Sequence, residues 1–195
     1  MEKTIQGHLI LIMAPMASGK GVLISHVIRN YPGIKRLVSC TTRAKRPGEV
    51  EGKDYFFISR EEFERKTQAG EFMEWAEFSD NLYGTLKSEL LTHLSAGHVT
   101  INEIDLHGVR NILSLIPREQ CTVVYIDAGD WETLKARALS RAPMSDRELT
   151  LRHIHYLEET AYKHNADFIV SNNDNELESA KIKLSAIIEN IILRT

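Results

Sequence analysis

The chemistry open to this chain is concentrated in residues that handle phosphate. A run of mostly small residues, Ala14-Pro15-Met16-Ala17-Ser18-Gly19, leads into Lys20, Gly21 and Val22. Such a loop turns its backbone N–H groups inward, and a following helix adds its unpaired N–H groups and positive dipole end. The lysine supplies a mobile cation for the outer phosphates. The stretch approximates G-x-x-x-x-G-K-[ST], with Ala14 at the first glycine and Gly21 at the hydroxyl position. An ordinary strand-to-helix turn is the plainer alternative. A second group, Arg43, Lys45, Arg46, Lys53 and Tyr55, lies in or beside a Gly/Pro-broken loop at 41–54. Paired guanidiniums offer planar forks of donors that suit phosphate oxygens. In a third group, Arg137 and Arg141 are one helical turn apart and Arg152 on the next helix can converge with them. For the pair alone, a solvated helix surface is the bland alternative.

These groups need elements to position them. The apolar run Leu9–Ala14 reads as a buried strand, and Val22, Leu23, Val27 and Ile28 carry helical spacing, so Lys20 sits between strand and helix. Further along, 36–40 and 55–58 read as short strands, and Ser59 with Glu62 opens a helix to about residue 70. A strand at 71–78 and a turn at Asp80-Asn81 lead into LYGT, then a helix from about 86 to 96 stopped by Gly97. Strands at 99–104, 121–126 and within 167–172 alternate with helices at 106–116, from Asp130 to about Arg141, and from Ser145 to about Lys163. A closing helix carries Leu177, Leu184, Ile188 and Ile191 on its inward face. The pattern predicts an α/β fold with a parallel sheet covered on both faces. Residues 36–100, where strands cluster around two short helices, predict an inserted α+β lobe. Ligands of open α/β sheets bind at the carboxyl ends of the strands, where the lysine loop, Ser39 and Glu103-Ile104-Asp105 all fall.

Composition narrows the function classes. A chain of 195 residues is one domain with room for a full core. Its net charge of −3 argues against a general nucleic-acid or membrane-surface binder, so an anion site must be local. Two cysteines, Cys40 and Cys121, make no disulfide framework and fit a reducing compartment. No apolar stretch is long enough to span a bilayer and the start, MEKTIQG, has no secretory pattern, so a cytoplasmic protein is expected. His153 and His155, two apart on a helix, are poorly placed to share a metal, and Trp75 and Trp131 read as packing residues.

Over almost its whole length the chain resembles the guanylate kinases. The likeness is most specific in SCTTRAKRPGE (39–49) followed by GKDYFF (52–57), and continues in FMEW (72–75), YGT (83–85), EIDLHG (103–108) and NND (172–174). It implies a P-loop three-layer core at 1–36, 96–135 and 156–195, a GMP-binding lobe at about 37–95, and a helical lid at about 136–155. It implies phosphoryl transfer from ATP to GMP or dGMP with Mg²⁺. ATP would lie on residues 14–22, Arg137, Asn172 and Asp174, and GMP on Ser39, Arg43, Arg46, Tyr55, Glu74, Tyr83, Thr85, Glu103 and Asp105. Lys20, Arg43, Arg137, Arg141 and Arg152 would act on the transferring group. The metal would be held mainly by phosphates and water, with Glu103 or Asp105 nearby. Glu103 fits equally a strand-end carboxylate held by backbone donors.

Those roles follow physical sense. Guanine presents N1–H and an exocyclic amine as adjacent donors, and the Glu74 carboxylate can accept both. Ser39 and Thr85 offer hydroxyls to other ring atoms, while Tyr55 and Tyr83 donate to phosphate without adding charge. Gly21 and Val22 leave no hydroxyl for the metal, and the expectation is that water replaces it and that Ala14 keeps an ordinary strand conformation. His107 stands where the family commonly has glutamine. The runner-up reading is a catalytically silent guanylate-kinase-like interaction module; a sugar-phosphate kinase would have no use for the base-reading set. Monomer and homodimer both remain open.

Overall fold

The computed structural model describes residues 7–78 and 80–195. Most of the MEKTIQG start therefore lies outside the described residues. The first strand, β1 (His8–Met13), alternates its side chains between two cores. Ile10 and Ile12 join one cluster; Leu9, Leu11 and Met13 join the other. A strand buried on both faces cannot be amphipathic, which is why this stretch is continuously apolar. Each fully buried side chain of this size stabilises the fold by about 1.5–3 kcal/mol relative to exposure.

Helix α1 (Lys20–Asn30) follows, then β2 (Lys35–Arg36), β3 (Cys40–Thr41), β4 (Phe56–Phe57), α2 (Arg60–Gln68), β5 (Phe72–Phe78), β6 (Asn81–Leu86) and α3 (Lys87–Ser95). The chain continues through β7 (Val99–Ile104), α4 (Leu106–Leu113), β8 (Cys121–Asp127), α5 (Trp131–Leu139), α6 (Asp146–Tyr162), β9 (Phe168–Ser171) and α7 (Leu177–Ile192). The main sheet is parallel in the order β2-β7-β1-β8-β9. Helices α1 and α7 cover one face through Leu23, Val27, Leu184 and Ile188; α3 and α4 cover the other through Leu90, Leu94, Val109 and Ile112. This is the expected three-layer α/β architecture.

A second sheet has the order β4-β3-β6-β5 and mixed pairing. Its core is small: Cys40, Phe63, Phe72 and Leu82, with the rings of Phe63 and Phe72 stacked 4.3 Å apart. Ser59 caps α2 by accepting from the Glu62 N–H at 3.1 Å, as its capping-box spacing predicts.

The expected strand 36–40 is two strands in two sheets. Arg36 pairs with Ile101 in the main sheet, whereas Cys40 pairs with Phe56 and Gly84 in the second. Buried Leu37 still donates to Ile101 O at 3.4 Å, and the chain crosses between sheets over Val38-Ser39. LYGT, assigned no element from sequence, is part of β6, which pairs antiparallel with β5. The helix expected to reach 116 ends at Leu113, where the Ser114 and Leu115 N–H groups tighten to carbonyls three residues back. Between α5 and α6, the Trp131 ring stacks on His153 at 4.5 Å and lies 5.8 Å from Tyr156. Trp75, by contrast, is half exposed on β5 and meets Phe63 edge-on.

Candidate active site

The phosphate loop leaves the carboxyl end of β1, the central strand. Its shape depends on two left-handed residues, Ala17 at φ 56° and Gly19 at φ 83°. Ala14 is not among the positive-φ residues, so it takes an ordinary conformation as expected. The strain sits instead at Ala17, where an L-residue in this region costs about 1–2 kcal/mol. Gly19 is irreplaceable for a second reason: a Cβ there would lie 2.5 Å from Asn172 Nδ2. That same amide donates to Ser18 O at 2.7 Å and ties the loop to the segment after β9. Asn172, predicted to touch ATP, is thus buried beneath the loop and supports it. Helix α1 has no side-chain cap, unlike α2, α4, α5 and α6; the Val22 and Leu23 N–H groups donate to Gly19 O, and no side-chain oxygen competes for the first N–H groups of the helix. Lys20 Nζ donates to Ala14 O at 3.1 Å and lies 3.4 Å from Glu103 Oε1. Ser18 Oγ is buried with no hydrogen-bond partner among the described residues.

Across a cleft from the loop stands the second sheet. The cleft is lined by Lys20, Ser39, Tyr55, Glu74, Tyr83, Glu103 and Asp105 among the predicted residues. A β-bulge between Phe72 and Glu74 shifts the register so that Glu74 faces Thr85. Gly108 makes room for that carboxylate: a Cβ on it would sit 3.1 Å from Glu74 Cγ and 2.3 Å from Ile104 Cγ1. Burial pushes the Glu74 carboxyl up to about 7; Thr85 opposes this with hydrogen bonds and the Asp105 charge adds to it. Ser39 Oγ and Thr85 Oγ1 are 2.9 Å apart. Tyr55 and Tyr83 meet edge-on with ring centres 5.9 Å apart, and Arg43 lies 5.6 Å above the Tyr55 ring. Burial raises the Tyr55 phenol above its ordinary pKa, with Arg36 and Arg43 acting against it. Asp105 caps α4 through the Gly108 N–H at 2.8 Å, leaving its second oxygen for the cleft.

Most of the predicted cations hold internal anions. Arg43 pairs with Glu49 at 2.6 Å and also donates to Ala44 O; Arg137 pairs with Asp174 at 2.7 Å; Arg152 pairs with Glu148 at 3.0 Å. Arg46 and Arg141 are exposed, and neither they nor Arg137 and Arg152 line the cleft. Four polar residues that do line it were missed from sequence: Arg36, Asp54, Asn102 and Glu159. Glu159 comes from α6, and burial pushes its carboxyl up to about 7 against the pull of Lys20. It is seven residues beyond Arg152 on the same helix, so periodicity could have placed both on one face. Cys40 is a packing residue: burial pushes its thiol up to about 11, leaving almost no thiolate at neutral pH.

No group of three or more His, Cys, Asp or Glu among the described residues could hold a metal. Glu103 and Asp105 still fit Mg²⁺ in one manner, as hard oxygen acceptors for the waters of an ion bound to nucleotide phosphates. Also among the described residues, no helix is long and apolar enough to cross a membrane.

Comparisons with known proteins show the family that the chain is similar to. The guanylate kinase family model matches residues 6–191. A guanylate kinase of Rubrobacter xylanophilus is 39% identical over 171 residues, covering 88% of this chain and 88% of its own. One from Symbiobacterium thermophilum is 38% identical over 188 residues, covering 96% of this chain and 87% of its own. The crystal structure of guanylate kinase from Anaplasma phagocytophilum superposes with a TM-score of 0.67 at 27% identity, covering 96% of this chain and 87% of that one.

Proposed function

This chain belongs to the guanylate kinase family and transfers the γ-phosphoryl group of ATP to GMP, and we propose the following division of labour among its residues. Glu74 accepts guanine N1–H and the exocyclic amine, while the Ser39 and Thr85 hydroxyls reach the remaining ring atoms; dGMP fits equally, since none of these groups reads the ribose. Tyr55, Tyr83, Arg43 and Arg46 hold the GMP phosphate. The loop 14–22 takes the ATP phosphates through its backbone N–H groups, with Lys20 on the outer ones and Arg137, Asn172 and Asp174 bordering the adenine.

The observation that carries this reading is the pairing across one cleft of a buried carboxylate beside two hydroxyls with a lysine-bearing phosphate loop. In phosphoryl transfer little covalent work falls to the protein, so positioning and neutralisation of charge dominate. Arg137, Arg141 and Arg152 belong to a mobile lid at about 136–155 that exchanges its internal carboxylate partners for the transferring group, and its closure keeps water from competing. The core comprises 1–36, 96–135 and 156–195, and the GMP lobe about 37–95. Mg²⁺, when bound, neutralises charge on the phosphate oxygens, with Glu103 and Asp105 ordering its waters. An intact loop with Lys20 in place speaks against a silent interaction module.

A coupled assay with ATP, Mg²⁺ and a panel of monophosphates tests the reading. GDP is expected from GMP, with AMP, CMP and UMP poor substrates. Lys20→Ala should lower turnover by roughly two orders of magnitude, as for loss of a charge aimed at the transition state. GMP binding with no GDP formed at any magnesium concentration would return the silent module.

A further inference from the structure

Arg36 is a cleft-lining cation that the sequence reading did not single out. It ends β2, the edge strand of the main sheet, in register with Ile101. Strand pleating puts its side chain on the face shared by Ile101 and Glu103, opposite buried Leu37. There it lines the cleft together with Lys20, Tyr55 and Tyr83. Its charge acts on the Tyr55 phenol as that of Arg43 does, and Arg43 lies over the same ring.

Two of the neighbouring cations are already engaged. Lys20 faces Glu103 and Ala14 O, and Arg43 is bound to Glu49 and Ala44 O. Asp54, the carboxylate in the same part of the lining, accepts from the Val50 N–H at 2.7 Å. Arg36 makes no ion pair or hydrogen bond with its side chain among the described residues. An anion entering the cleft therefore meets one guanidinium that need not surrender an internal partner. The lining otherwise disfavours anions: it holds the cations Lys20 and Arg36 against the carboxyl groups of Asp54, Glu74, Glu103, Asp105 and Glu159. A guanidinium offers a planar fork of donors and is only weakly hydrated, which suits it to a phosphate dianion.

We propose that Arg36 is a further ligand of the acceptor phosphate, taking the GMP dianion against Tyr55 and Tyr83 while Arg43 is still held by Glu49. The inference rests on the guanylate kinase reading of the cleft and adds a contact on the main-sheet side of the phosphate.

Binding titrations with GMP and with guanosine, on the unmodified chain, Arg36→Gln and Arg36→Lys, test it. Loss of one charge-assisted contact at a partly solvated site should weaken GMP binding about tenfold. Guanosine binding should stay unchanged, and Arg36→Lys should fall between the two. The Michaelis constant for ATP should not move. Arg36 is exposed at a strand end, so both variants should melt with the parent, and a thermal melt verifies this. GMP affinity unchanged within twofold, or GMP and guanosine weakened alike, overturns the proposal. So does a rise confined to the ATP constant, which would place Arg36 on the donor phosphates. If instead the unmodified chain binds GMP no better than guanosine, the acceptor-phosphate reading itself falls, whatever the variants do.

Discussion

The phosphate loop is a backbone device, a turn of small residues ahead of a helix start with Lys20 as its one side chain in the cleft, whereas the second sheet across the cleft presents side chains. The loop's shape is fixed by the left-handed Ala17 and Gly19, by the strand it leaves, and by Asn172 beneath Ser18. Its side chains at 14, 21 and 22 have drifted from the usual pattern, because a backbone site tolerates change wherever a residue only has to adopt the right φ and ψ. The second sheet is thin, with a four-residue buried cluster, and the specificity proposed for it would rest on individual atoms of Glu74, Thr85, Ser39 and two tyrosines. One side should therefore be robust to side-chain substitution and the other brittle.

The sharpest way to break the brittle side is Glu74→Gln. A glutamine amide pairs one donor and one acceptor with the adenine edge, whereas the carboxylate matches the two donors of guanine. Preference for GMP over AMP, which a site of this kind can hold at roughly 10⁴-fold, should largely disappear while the fold persists. Competitive kinetics with both monophosphates measure it, and full retention of discrimination would remove Glu74 from the base site.

The raised pKa of the same residue gives a second, smaller effect. In the empty cleft the Glu74 carboxyl titrates at about 7, but it must be ionised to accept two N–H groups from guanine. Guanosine, which lacks a phosphate of its own to titrate, should lose affinity about tenfold per pH unit below that value, with release of a proton on binding above neutrality absent. The sign for stability runs the other way. Between its ordinary value of 4.5 and about 7, folded Glu74 holds a proton that the unfolded chain has lost. The ligand-free fold therefore keeps this contribution at low pH and loses it as pH rises through 7. Calorimetric titration of guanosine from pH 5 to about 8 reads the affinity arm, and Glu74→Gln should flatten it even though Glu159 still titrates in the cleft.

The smallest effect tests the tolerant side. A Cβ at Gly21 meets nothing within 4 Å, so a serine fits without displacing the loop. The change Gly21→Ser with Val22→Thr restores hydroxyls and should lower the Michaelis constant for ATP a fewfold, about 0.5–1 kcal/mol for one added hydrogen bond, leaving that for GMP alone. An unchanged ATP constant would mean that backbone donors and water already suffice.

The contrast also explains what was legible in the sequence. The alternation of buried strands with helices, and the loop around Gly19-Lys20, follow from local pattern, and so did β1, α1 and the capped α2. Arg36 and Asn102 were not legible, because each enters the cleft only through the tertiary placement of main-sheet strands, while Glu159 was signalled only by its seven-residue spacing from Arg152. The division of 36–40 between two sheets was equally hidden, since one short strand-like stretch looks the same whether it pairs once or twice. Asn172 was found for its neighbourhood, yet its hydrogen bond to Ser18 O is a contact across 154 residues that no local signal announces.

The two tryptophans have a spectroscopic consequence. The chain has only Trp75 and Trp131, one on β5 of the second sheet and the other at the start of α5, stacked on His153 of α6. The half-exposed indole emits in a watery, polar surrounding, while the stacked one has an imidazole quencher against its face. Rotation of α6 against α5 separates that stack and leaves Trp75 untouched; a change around the nucleobase-reading sheet does the reverse. The molecule thus carries two native optical probes, distinguishable by colour and lifetime, one on the second sheet and one between α5 and α6.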